Sequence, residues 1–182
     1  MGRSTLLVLI AAGIGLAFGD PTAAAADSAA PPVSTFVETV LRDGLGEIDL
    51  AKLAVARTTS PDVKRFAQRM IDDHTALDQE LAELARARNL AVPDALDPGT
   101  HALHERLAAL PVRQLDRAYM RAMLDGHQRT IAAFRAYAEG GADPEIRAWA
   151  EKTLPTIEDH AHDAKASARA IGIEVGAERH TY

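Results

Sequence analysis

Apolar positions recur every three or four residues through most of this chain, the spacing that gives a helix one buried stripe. From Ser34 to Thr59 the stripe is Val37, Val40/Leu41, Gly44, Glu47/Ile48, Ala51 and Ala54/Val55. A second helix opens at Ser60-Pro61-Asp62-Val63, with a capping serine, proline in the first helical position and an acid in the first turn. Its stripe is Val63, Phe66/Ala67, Met70, His74, Leu77, Leu81 and Leu84, ending near Leu90. A loop from Ala91 to Gly99 follows, then a short helix that Thr100 is placed to cap and that contains Leu103 and Leu107. Pro111 marks the start of a third long helix, whose face runs Leu115, Tyr119, Met123, His127, Ile131 and Phe134 until Gly140-Gly141 stops it. A fourth begins Asp143-Pro144-Glu145-Ile146 and continues through Trp149, Ile157, His160 and Ala164 to about Ala170. Pro155 lies inside it, where a missing amide is expected to bend the helix or interrupt its hydrogen bonding.

Four long helices, with tight turns inside each half and a longer link between the halves, predict an all-α antiparallel four-helix bundle with a short extra helix in the middle connection. Up-down-up-down order and a ferritin-like order, in which that connection crosses the bundle, both fit the pattern. Abundant Ala, Leu, Arg and Glu, with few aromatic residues, point the same way.

The amino-terminal stretch reads differently. Arg3, an apolar run from Leu6 to Phe18 and the small residues Ala24-Ala25-Ala26 have the layout of a secretory signal, residues 1–26, cleaved after Ala26. The run is short for a membrane span of about 20 residues. Residues 27–33 then form a flexible lead-in, 34–171 the helical domain and 172–182 a tail. The expected location is the periplasm or the exterior, with no transmembrane segment in the mature chain. The chain has no cysteine, which excludes disulfides, thiolate metal sites and lipidation at the signal. Its net charge of −6, with acids and bases interleaved, argues against nucleic acid as a partner. Any protein or small-molecule partner is left open.

Two polar residues interrupt the apolar faces in parallel ways: Met70-Ile71-Asp72-Asp73-His74 is echoed by Met123-Leu124-Asp125-Gly126-His127. Levels along the bundle follow from the helical rise. Glu47 lies thirteen residues before Ser60 and His74 fourteen after it, so both stand roughly 20 Å from the first turn. His127 is thirteen residues before Gly140, whereas His160 is seventeen after Asp143, about one helical turn off level. The candidate cluster is therefore Glu47, His74, His127 and His160, with His160 its outlying member. Three imidazoles and a carboxylate suit one Fe, Zn or Mn ion. Met70 and Met123, one turn before their histidines, bring in copper as a lesser alternative, although methionine is also a common core filler. Asp73 and Asp159 each precede a histidine and are candidates for supporting it or for facing solvent.

A di-iron centre does not fit, because the residues three before the histidines are Ile71, Leu124 and Ile157 rather than glutamate. No nucleophile stands at productive spacing from a base, so catalytic residues are unassigned and any catalysis would reside at the ion. The competing reading is a non-catalytic envelope or secreted interaction module whose polar core residues only fix the packing.

The succession of short motifs resembles the exported bacterial family known as domain of unknown function 4142. The matching pieces are Glu47 with Lys52-Leu53-Ala54, Ser60 to Ala67, Met70 to His74, Leu115 to Met120, His127, Leu154-Pro155 and His160. The resemblance spans roughly Phe36 to Ala164. It implies a ferritin-like helical domain outside the cytoplasm and brings no settled activity. It also draws attention to Asp116, too far along its helix to join the cluster and expected to serve the helix N-terminus instead.

Overall fold

The computed structural model describes residues 30–176, so the expected amino-terminal signal and the end of the tail lie outside the described residues. The described residues form five helices: α1 (Val33–Arg57), α2 (Pro61–Arg86), α3 (Pro98–Ala108), α4 (Val112–Gly140) and α5 (Pro144–Ala170). Helices α1, α2, α4 and α5 make a four-helix bundle, and α3 is the short extra helix. None of the helices among the described residues is long and apolar enough to cross a membrane.

Capping chemistry sets most boundaries. The Ser60 side chain accepts from Val63 N–H, and Asp143 accepts from the amides of Glu145 and Ile146. Thr100 is not the cap of α3. Asp97 takes that place, accepting from the Gly99 and Thr100 amides, because Pro98 fits the first helical position and puts the carboxylate within reach of both donors. At the far end of α2, Asn89 adopts a left-handed conformation (φ 57°), and Leu90 N–H reaches back to Ala85 O (2.9 Å). That closes the helix four residues before Leu90. Helix α5 runs through Pro155 as unbroken α-helix.

Hydrogen bonds at the two ends settle the order of the helices. Arg57, the last residue of α1, donates to the carbonyls of Ala108 and Leu110, so α4 starts where α1 stops. At the opposite end Arg88, just beyond α2, pairs with Asp143, just before α5 (Nε to Oδ2 2.6 Å). The link from α2 to α4 therefore travels the length of the bundle. It lies over α1 and α4, with Thr100 beside Gly46 and His104 Nδ1 2.5 Å from Asp49 Oδ2. Of the two orders open from the sequence, the crossing connection is the one observed, and it makes each neighbouring pair of long helices antiparallel.

The interior is divided. One apolar cluster contains Leu50, Ala54, Phe66, Met70, Tyr119, Met123 and Ala164. The other contains Phe36, Leu41, Leu81, Phe134, Trp149 and Ile157. Between them, in sequence and in space, lie Glu47, His74, His127 and His160.

Candidate metal centre

Each long helix sends one polar side chain into the layer between the two clusters. The positions continue the apolar stripes, which explains their burial: His127 and His160 are 0% exposed, His74 5% and Glu47 8%. The ring centroids stand 5.9 Å apart for His74 and His127, 5.2 Å for His74 and His160, and 5.6 Å for His127 and His160. One ring nitrogen from each histidine lies within 4.8 Å of the other two. His160, a turn off level by counting, is thus as close to the others as they are to one another. The combined reach of the imidazole side chains spans the offset.

The two nitrogens of each ring have different surroundings. His127 Nδ1 sits 2.9 Å from the carbonyl oxygen of Met123 one turn earlier, an acceptor, so this nitrogen carries the proton. Its Nε2 is buried without a partner. His160 Nε2 donates to Asp73 Oδ2 at 2.8 Å, and its Nδ1 is likewise buried without a partner. His74 Nε2 lies 2.9 Å from Glu47 Oε2 but lacks hydrogen-bond geometry. His127 Nε2 and His160 Nδ1 are therefore unsatisfied in the dry interior, where such atoms cost about 1–3 kcal/mol apiece, and His74 Nε2 meets the Glu47 carboxylate. In two of the three rings, an acceptor fixes the opposite nitrogen, the arrangement that orients a metal-binding imidazole.

Charge follows the same geometry. Burial disfavours the Glu47 carboxylate, but His74 and then His127 outweigh it and hold its pKa down to about 2. Burial also works against charge on His74, yet Glu47 beside it raises the pKa. His160 goes the other way: burial, joined by the two neighbouring rings, lowers it to about 4 despite Asp73. His160 is consequently neutral at pH 7, with a lone pair on Nδ1.

The remaining candidates separate. Asp73 reaches the layer through His160 and is itself held by Arg69 (Nε to Oδ2 3.1 Å), which also contacts Asp163. Asp159 is exposed. Met70 and Met123 are packed in the first apolar cluster, and Met123 touches the layer through its carbonyl. Asp116 is buried in the second turn of α4 with Oδ1 unpartnered, so it caps nothing; it sits one turn too deep to reach free amides.

Asp78 adds a residue that sequence reasoning passed over. It follows His74 by one turn and presses its carboxylate on Gly44 of α1, where a Cβ would come within 2.7 Å of Asp78 Cγ. Burial, reinforced by Glu47 and opposed by His74, raises its pKa to about 7. The glycine in the α1 stripe was the available signal.

The sequence profile of a family described as a domain of unknown function (DUF4142) matches residues 19–166. No curated protein matches the sequence. Among solved structures, the chain is similar to a crystal structure of a DUF305 fragment from Deinococcus radiodurans, with a TM-score of 0.67 and 18% identity. That likeness covers 77% of this chain and 99% of the other, and it speaks to the fold alone.

Proposed function

We propose that this chain, which belongs to the DUF4142 family, is an exported protein that holds one transition-metal ion between His74, His127 and His160, with Glu47 as the neighbouring carboxylate. The observation that carries the reading is three buried imidazoles with one ring nitrogen each within 4.8 Å of the others, His127 Nε2 and His160 Nδ1 having no partner. A purely architectural polar layer would satisfy these atoms internally, and this one does so for only half of each of two rings. Three imidazoles and one carboxylate suit Fe, Zn or Mn; copper ranks behind, because the methionine side chains belong to the apolar cluster. We read the bundle with its crossing connection as ferritin-like in plan, with a mononuclear centre in place of paired irons. Export is supported by the Arg3, Leu6–Phe18 and Ala24-Ala25-Ala26 pattern of the sequence.

Metal analysis of protein purified without a histidine tag, followed by thermal melts with and without chelator, tests the proposal. A ligand at 100 times its Kd stabilises the fold by about 2.7 kcal/mol, worth about 5–10 °C for a domain of this size. The shift is expected with added Zn(II) and should vanish in His127→Gln and His160→Gln. A melt that no metal alters, with no ion retained after reconstitution, would leave only the architectural reading.

A further inference from the structure

We propose, resting on the metal reading above, that the groove between α1, α3 and α4 is the port through which the ion reaches the histidines, and that Gly126 keeps it open. On the α2–α5 side His160 is 0% exposed and donates to Asp73, which Arg69 bridges to Asp163. On the α1–α4 side a cavity of about 240 Å³ opens to solvent, with Asp43, Glu47, Thr100, Asp125, Gly126 and Arg129 among its walls. Glu47 is the member of the polar layer that lines it. The same carboxylate places Oε2 2.9 Å from His74 Nε2 and Oε1 3.6 Å from His127 Nδ1. A cation in the groove therefore meets a carboxylate first, and that carboxylate touches the imidazoles behind it.

Gly126 sits on the rim, one residue before His127. A Cβ built there would stand 3.4 Å from Glu47 Oε1, an ordinary contact, so a methyl group fits and a bulky side chain has the carboxylate beside it. The wall chemistry selects the sign of the visitor: Asp43, Glu47 and Asp125 face one cation, Arg129, an excess of acid that draws a divalent cation and repels a small anion.

The test is stopped-flow uptake of Co(II) by the metal-free full chain, read by its visible absorption, with release measured by excess chelator. Gly126→Leu is expected to slow uptake and release together by about tenfold, as when binding must wait for a conformational change. Because both directions use one port, the Kd should move much less than either rate. Gly126→Ala should behave as the parent does. Asp125→Asn, at an exposed position, should slow uptake by about threefold at low ionic strength and little at high. Parent-like rates in a folded Gly126→Leu protein would overturn the port. If Gly126→Leu does not fold, the Asp125→Asn salt dependence decides: parent-like uptake at low salt counts against the groove. Absence of any saturable Co(II) band in the parent protein is a different failure, that of the metal site itself.

Discussion

Across the α2–α5 interface, Asp73 accepts a hydrogen bond from His160, Nε2 to Oδ2 2.8 Å. The bond puts the ring proton on Nε2 and leaves Nδ1 bare in the interior. Met123 does the same for His127 with a backbone carbonyl. The side chains that would hold an ion are thus oriented before one arrives.

Removing that support should weaken metal binding without dismantling the bundle. Losing a partner behind a metal-binding histidine typically lowers affinity about 10–100-fold. Asp73→Leu should fall in that range by competition with a chromophoric chelator, whereas Asp73→Asn, which retains an acceptor oxygen, should lose less. Equal affinity in all three proteins would mean that Asp73 does not position His160.

Asp78 gives the metal-free protein a pH dependence of its own. Its folded pKa of about 7 lies above the ordinary 3.8, so the folded state keeps a proton that the unfolded state has already released. Stability from this group therefore declines as pH rises from near 4 through about 7. Asp78→Asn should melt alongside the parent near pH 4 and several degrees higher, about 4 °C or more, at pH 8. A gap that is the same at both pH values would show that the Asp78 carboxylate does not titrate in this window. Glu47 and His160, both lowered, act at the acid end: each contributes stability that is lost as pH falls below its ordinary pKa.

The apolar periodicity and the two proline openings, Ser60-Pro61 and Asp143-Pro144, were enough to place four long helices, because capping and stripe agree at those points. Counting residues from the first turn put Glu47 and His74 level, and they are in contact. Counting sets His160 a turn off level, yet its ring joins the other two: rise per residue locates a backbone level, while the contact depends on how far an imidazole reaches along the axis. The course of the middle connection was not legible at all. It is fixed by Arg57 gripping two carbonyls about fifty residues away and by the His104–Asp49 pair, and no local pattern announces such partners. Gly126 was likewise silent, since its neighbour across the groove belongs to another helix.

The Arg57 grip should be what holds the crossing connection down. Arg57→Ala leaves the carbonyls of Ala108 and Leu110 without their charged donor, a loss of about 1–3 kcal/mol if both stay shielded from water. Amide hydrogen exchange across residues 98–110 should accelerate more than exchange in α2 or α5. Uniform acceleration through all helices would instead mean that the connection opens only with the whole bundle.

The most direct test of the metal centre is anomalous diffraction from crystals of the untagged protein reconstituted with Zn(II), recorded at the zinc edge. The account predicts one strong peak between the two apolar clusters, about 2.0–2.1 Å from a ring nitrogen of each of His74, His127 and His160. A layer without a peak, or zinc found only on surface carboxylates, would contradict it.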